Sequence, residues 1–490
     1  MKGYAGPEVS RIDGPAPFFP IRIPQTKESS AKNGFLHLFF RLDMTTTRPA
    51  RILFACPQTL FDVSNGASMQ CYSMMQELAR RGLQVASIGG GIFDNPSGVA
   101  RIPNLAEQIA ENEGKKLLVN KDYSAGGGGV TSNSNPITHW FFTGFYSTTW
   151  SEMTYDESNA FLNEYTQILR TFKPDLVIGY GCDPLCRSMW MEARLFGIPT
   201  VYVVCNGNHH HYRFPLHNLV ITDSKSTAKL YKDADGLTVH PVGNFINPEL
   251  VVAKTRNPQT VTFINPAFAK GVAVVARLIL MANKERPDIP FMIVETRQKF
   301  ADALRALKKP GGETGSAFSN QTFHNIAIRE STFNVSEIYA TTKVLLAPSL
   351  WYESWGRVAT EATMNGIPVL GSKSGGLPEA IGEGGITLDA PESVGDVDES
   401  EKWLTLPTEE ECRPWADALY ELFDHAEDWQ ARCAATVEKN SLRARGDHLM
   451  ELLEPLLQKR AGDGDFPRMG SIYYDGDPKD WETAGKMRKP

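Results

Sequence analysis

No stretch of this chain approaches the ~18 consecutive apolar residues that a membrane-spanning helix needs. Its most apolar short run near the start, Phe35–Phe40 (FLHLFF), is too short to span and lacks a clear cleavage site, so it makes a poor signal peptide. Basic charge is also scarce. There are 50 Lys+Arg against 57 Asp+Glu, a formal net charge of −7, which argues against nucleic-acid binding through bulk charge. The 7 cysteines (Cys56, Cys71, Cys182, Cys186, Cys205, Cys412 and Cys433) are odd in number and scattered, and read as reduced thiols of a cytoplasmic protein rather than a disulfide framework. Cys182 and Cys186 form C-D-P-L-C, but no further Cys or His partner follows at ligand spacing, so no metal site is expected. Gly89, Gly90 and Gly91 follow an apolar run without the G-x-G-x-x-G pattern, which argues against NAD. There is no clear motif for a pyridoxal-bearing lysine. No basic amphipathic helix is visible either, although peripheral contact at the inner face of the membrane stays open.

What the chain does have is apolar material, 42% of its 490 residues, enough for more than one core. Short apolar runs closed by turn residues alternate with segments of helical spacing. RILFACP (51–57), a helix through Met75, Leu78 and Ala79 stopped by Gly82, and QVASIGG form a βαβ unit, hence a parallel sheet. KPDLVIGYG, IPTVYVVC and LVITDSKSTAKLYKD continue the pattern. VHPVGNFINPE (239–249) reads as a linker, after which the alternation restarts with QTVTFINP, GVAVVARLILMANKERP and IPFMIVET. The expectation is an α/β chain of two doubly wound, Rossmann-like domains facing a central cleft. Residues 49–243 form the first and 244–435 the second, and a helix over 436–460 packs back toward the first. The Pro-, Ser- and Lys-rich segment 1–48 and the tail 461–490 read as disordered and the Gly-rich stretch 121–136 as a flexible loop, with either Met1 or Met44 as the natural start.

The densest stretch is LAPSLWYESWGRVATEATMNGIPVLGSKSGGLPEAIG (346–382). A strand ends near Ser349 and a helix is expected from about Trp355. Glu353 then lies on the entering loop and Glu361 two turns into the helix. Eight residues of helix span about 12 Å, whereas a hydrolytic carboxylate pair sits about 5 to 9.5 Å apart. The spacing suits one elongated ligand with hydroxyls at both ends, and the N–H groups near Trp355 and Gly356 offer a site for an anion between them. Lys270, between a strand and a helix in FINPAFAKG, is placed to bind phosphate. In SKSGGLPEAI, Gly375 and Gly376 let backbone approach a ligand and Pro378 opens a helix. Taken singly, these features also fit solvated glutamates, a surface lysine and a plain strand-to-helix turn.

In combination, order and spacing, these motifs resemble the retaining glycosyltransferases of family four, which have the GT-B fold. The resemblance rests on the two glutamates, Lys270-Gly271, APS, NGIPVLGSKSGGLPEAIG and the NGAS of the first half, and covers about residues 49–460. It implies a metal-independent hexosyltransferase acting in glycan or glycoconjugate biosynthesis. A nucleotide-diphosphate sugar enters as co-substrate, with no separate cofactor. Glu353 would hold donor-sugar hydroxyls and Glu361 the ribose. Lys270 and the backbone at Trp355 and Gly356 would take the diphosphate, the backbone from Ile326 to Ile328 would face the base, and Gly66 would admit the donor phosphate. The acceptor stays open between a glycan, a small molecule and a protein side chain, as do the base and the oligomeric state.

Two departures from that family stand out. Asn265 occupies the place of a diphosphate-binding arginine, leaving Arg357 or Arg297 as the replacement charge. Where many relatives carry a histidine after the TVYVVC strand, this chain has Cys205-Asn206 and then His209, His210 and His211, of which His210 is favoured as the compensating residue. These departures keep two alternatives alive, a catalytically degenerate nucleotide-sugar-binding protein and a nucleotide-sugar epimerase of the same fold.

Overall fold

The computed structural model describes residues 48–94, 117–120, 137–210, 212–310, 317–318, 323–395 and 401–458. The leader (apart from its last residue), the 121–136 loop, Met44, His211 and the tail lie outside them.

Two sheets carry the chain. The first contains β1 (Arg51–Gln58), β2 (Gln84–Gly90), β3 (Leu117–Asn120), β4 (Thr138–Phe142), β5 (Leu176–Gly179), β6 (Thr200–Val204), β7 (Leu219–Thr222) and β8 (His240–Pro241), in the order β3-β4-β2-β1-β5-β6-β7-β8. All pairs are parallel except β3 with β4. The second is wholly parallel: β9 (Thr260–Ile264), β10 (Phe291–Glu295), β11 (Ile326–Glu330), β12 (Thr342–Ala347), β13 (Val369–Ser372) and β14 (Gly385–Leu388), in the order β11-β10-β9-β12-β13-β14. The helices that bear on the site are α1 (Gly66–Arg80), α2 (Tyr155–Phe172), α3 (Lys225–Asp235), α4 (Val272–Glu285), α5 (Arg357–Met364), α6 (Leu377–Ile381) and α7 (Leu442–Gln458). This is the doubly wound α/β architecture expected from the sequence. The β4 strand (THWFF), beside β2, was not anticipated.

Central strands such as β1 are buried on both faces, which is why they read as continuous apolar runs. In each sheet the strand order reverses beside the first strand, between β1 and β5 and between β9 and β12. Loops leaving those strand ends diverge and open a crevice. The last helix, α7, returns to the first domain, where Leu449 and Leu453 are buried in its core and Arg81, just after α1, donates to Asp447 at 2.7 Å. Among the described residues, no helix is long and apolar enough to cross a membrane.

The loops carrying Lys270 and Glu353 are fastened to each other through backbone. The N–H groups of Leu350 and Trp351 both donate to the Ala269 carbonyl, at 2.9 and 3.1 Å. Gly271 sits at φ 84°, and a Cβ there would lie 1.9 Å from the Pro348 carbonyl oxygen. On the other side, Ser372 Oγ donates to Ser349 O and Ser374 Oγ to Trp351 O, both at 2.6 Å, and Gly376 N donates to Glu353 O at 2.7 Å. Gly375, at φ 53°, would place a Cβ 2.1 Å from that same Glu353 oxygen. The Gly-Gly turn therefore admits the Glu353 backbone, not a ligand as the sequence suggested.

A second tie joins the two domains. Glu379 on α6 accepts from the backbone N–H groups of Lys225 (3.0 Å) and Ser226 (2.8 Å), so a second-domain carboxylate caps the start of first-domain helix α3. Such a carboxylate satisfies orphan donors and meets the positive end of the helix dipole.

Gly375→Ala should destabilise the protein by about 2 kcal/mol or more, because the left-handed backbone and the overlap with Glu353 O add. Gly66→Ala is the matched control, since a Cβ there meets nothing within 4 Å. Thermal unfolding of the pair should show a lowered midpoint for the first variant only.

Candidate active site

The crevice is a cleft of about 1740 Å³ lined from both domains. That exceeds the few hundred to 1,000 Å³ or so of a site for one drug-sized ligand, and leaves room for two ligands side by side. Its second-domain wall includes Asn265, Lys270, Arg297, Ser331 to Val335, Glu353 and Trp355 to Val358, and its first-domain wall Gly66, Trp150, Tyr180, Asp183, Asn206, His209 and Asp223.

Lys270 ends a short 3₁₀ turn between β9 and α4, and its ammonium is ion-paired with Glu353. Ser349 Oγ donates to the same carboxylate oxygen at 2.7 Å. One acidic and one basic group thus share the cleft wall, and Glu353 stands four residues before Arg357, the first residue of α5, where helix geometry leaves the leading N–H groups without intrahelical i−4 partners. Trp355 is itself buried, and its indole N–H donates to Thr360 at 2.8 Å. Gly356, at φ 97°, forms the N-cap position of α5. Asn265, at φ 66°, also lines the cleft, and its side-chain oxygen has no hydrogen-bond partner among the described residues.

Several expectations are corrected. The helix starts at Arg357, so Glu361 lies one turn in, not two. Glu361 is only 3% exposed and is not among the cleft-lining residues. Its carboxylate accepts from Tyr339 Oη at 2.7 Å and lies 2.6 Å from Arg357 Nε, an ion pair without hydrogen-bond alignment. Ile326 and Ile328 sit on the edge strand β11 outside the cleft lining, Ile328 being 51% exposed, because β11 ends before the chain turns inward at Ser331. His210 also misses the cleft. Its Nδ1 lies 2.8 Å from Asp235, at the far end of α3. Its neighbour His209 lines the cleft instead, with Nδ1 3.5 Å from Cys182 Sγ, and burial together with the neighbouring His210 lowers its pKa. Of the two candidate replacement arginines, Arg357 borders the cleft and donates to Phe245 O at 3.2 Å. Arg297 reaches across the mouth to Ser64 O (2.6 Å) and Asp94.

Sequence reasoning missed the polar cluster at the cleft floor. Asp223 accepts from Gln70, from Asn244 at 3.4 Å and from Ser354 at 3.3 Å. Burial raises its pKa to about 6, against the opposing pull of those donors and of the Arg445 charge. Arg445, carried back by α7, is 5% exposed, with its guanidinium carbon 4.7 Å from the Trp355 ring centre. Burial lowers its pKa to about 9, with Asp223 acting in the opposite direction. The partners come from distant parts of the chain, and no local pattern announces them.

The comparisons with known proteins agree with this geometry. The family model described as glycosyl transferases group 1 matches residues 319–417. The chain is similar to a D-inositol 3-phosphate glycosyltransferase of Corynebacterium aurimucosum, 28% identical over 172 residues, 32% of this chain and 36% of that relative. The namesake from Corynebacterium diphtheriae is 33% identical over 103 residues, 21% of this chain and 19% of that relative. The matches thus span about a third or less of the curated relatives' length. Among solved structures, the pneumococcal O-GlcNAc transferase GtfA with UDP and GlcNAc superposes with a TM-score of 0.56 at 14% identity, covering 84% of this chain and 99% of that one. Anabaena HepE with UDP and glucose gives 0.53 at 14%, covering 83% and 100%. The chain has the GT-B fold of these neighbours, and within its second domain residues 319–417 match the group 1 model. The resemblance read from the motifs is borne out in the fold and, over residues 319–417, in the family model.

Asp223 generates a pH prediction for this GT-B protein. Its folded-state pKa of about 6 lies above its ordinary 3.8, so the folded protein holds the extra proton between those values. Stability must then fall as pH rises through that window, relative to an Asp223→Asn variant that has no such titration. Denaturation midpoints of both proteins at about pH 4 and above pH 6 measure it, and parallel curves would remove Asp223 from the account.

Proposed function

We propose that the protein is a retaining, metal-independent glycosyltransferase that moves a hexose from a nucleoside-diphosphate sugar to an acceptor hydroxyl. The observation carrying this reading is the pairing of Lys270 with Glu353 on one cleft wall beside the start of α5. Lys270, Arg357 and the α5 N–H groups would neutralise the diphosphate, a share of positive charge that offsets the uncharged Asn265. Glu353, freed from Lys270 by the incoming phosphate, would accept from the hexose hydroxyls. The leaving phosphate would take the acceptor proton as the new bond forms on the same face, so no side-chain base is required. The neighbours described as bound to UDP with glucose or GlcNAc support a nucleotide-sugar donor. The same chemistry suits a protein working in the cytoplasm, where nucleotide sugars are made.

The acceptor belongs on the first-domain wall. Among its described residues that wall offers Asp94, Asp183, Asp223, Asn206, Trp150 and Tyr180 but no lysine or arginine. This favours an uncharged hydroxyl compound over a phosphorylated one such as the relatives' name implies. Asn265 favours a second reading, a protein that binds nucleotide sugar without turnover.

The test starts with melting curves against nucleoside diphosphates and their sugars, since a native-state ligand raises the midpoint by mass action. With the stabilising donor in hand, Lys270→Ala and Glu353→Gln should each cut donor turnover about 100-fold or more, with the fold intact by circular dichroism. Unchanged turnover in either variant contradicts the reading, and donor binding without turnover in the parent protein supports the second. An epimerised donor released without acceptor would support an epimerase.

A further inference from the structure

The first-domain rim carries a feature that the donor chemistry does not use. Between β4 and α2, residues 143–155 (TGFYSTTWSEMTY) expose two large aromatic rings, Tyr146 at 94% and Tyr155 at 81%. Trp150, between them in sequence, lines the cleft. Phe93 N donates to Thr148 O at 3.0 Å, which fixes this segment next to Asp94, the residue that Arg297 holds at the cleft mouth. The exposed rings therefore flank, in one short segment, a residue of the first-domain cleft wall.

The segment is held rigidly. The buried Glu157 carboxylate accepts from Tyr146 N (2.6 Å), Ser147 N (2.7 Å), Thr154 N (2.8 Å) and Thr154 Oγ1 (2.8 Å). Burial raises its pKa, but these bonds outweigh it and hold the carboxyl at about 2. Beneath Tyr146, Phe145 stacks on Phe161 with ring centres 5.2 Å apart. A solvent-exposed tyrosine on a frozen backbone presents an amphipathic face at little further ordering cost, the property that enriches tyrosine at recognition surfaces.

We propose that this rim is an acceptor-binding platform for a neutral oligosaccharide, with Tyr146 and Tyr155 stacking on sugar units beyond the one that enters the cleft beside Trp150. The inference rests on the glycosyltransferase reading above and extends it to the acceptor class. Its chemistry fits a sugar chain better than a bilayer. The segment contains no lysine or arginine and one acid, Glu152, whereas attachment to anionic lipid calls for basic clusters. Ser147, Thr148, Thr149, Ser151 and Thr154 surround the rings with hydroxyls suited to hydrogen-bonding sugars.

The experiment uses the full chain saturated with the nucleoside diphosphate that stabilises it most. Calorimetry against neutral gluco-, manno- and galacto-oligosaccharides of increasing length should show affinity that rises with length for one series. The double variant Tyr146→Ala/Tyr155→Ala should lower that affinity about tenfold, as expected for losing two ring contacts, and flatten the length dependence. Tyr146→Phe/Tyr155→Phe, which keeps the rings, should restore most of it, and the nucleotide melting shift should be the same in all three proteins. Absence of binding in every neutral series, or equal affinity in the alanine variant, overturns the platform. So does tyrosine-dependent binding to phosphatidylglycerol vesicles in place of oligosaccharide. A parent protein with no nucleotide shift at all would instead strike the underlying reading.

Discussion

The site depends on one backbone arrangement. The carbonyls of Ala269, Ser349, Trp351 and Glu353 are taken up by donors from neighbouring loops. This stitches the strand ends of β9, β12 and β13 into one rigid corner. Glycine is required at 271 and 375, where the chain is left-handed and passes within van der Waals contact of another carbonyl. Without that corner, Lys270 and Glu353 would be two solvated charges on separate loops, worth little to each other. With it, they face one cleft at a fixed distance, the preorganisation that electrostatic catalysis needs.

Charge is distributed around this corner in pairs. Lys270 meets Glu353, Arg357 meets Glu361, and Arg445 lies within the electrostatic reach of Asp223. Buried pairs of this kind are costly unless each member is well satisfied. The two terminal nitrogens of Arg445 have no hydrogen-bond partner among the described residues, yet its guanidinium lies over the ring of Trp355, two residues before the start of α5. The chain end carried by α7 thereby supports the second-domain site while packing on the first-domain core. The Glu379 cap on α3 is a second contact across the same boundary.

Much of the fold was legible because its signals are local. Apolar runs of strand length, helical spacing such as Met75-Leu78-Ala79 and stops such as Gly82 name their own elements, and the restart after residue 249 gives two sheets. Lys270, Glu353, Trp355 and Gly356 could be placed together because each follows a strand end at a point where the strand order reverses. The harder features are set by non-local contacts. Nothing near Glu361 announces Tyr339, 22 residues earlier, as its partner. Of two adjacent histidines, His210 meets Asp235 and His209 meets Cys182, partners 25 and 27 residues away that no local pattern announces. The backbone from Ile326 to Ile328 was expected to face the base, but the place of β11 at the sheet edge takes Ile326 and Ile328 out of the cleft lining.

The most direct test of the central claim is a crystal structure with a nucleoside diphosphate bound. The terminal phosphate is expected within hydrogen-bond distance of Lys270 Nζ and of backbone N–H groups at the start of α5, with Glu353 released from Lys270. A phosphate seated elsewhere, with the Lys270–Glu353 pair intact, would contradict it.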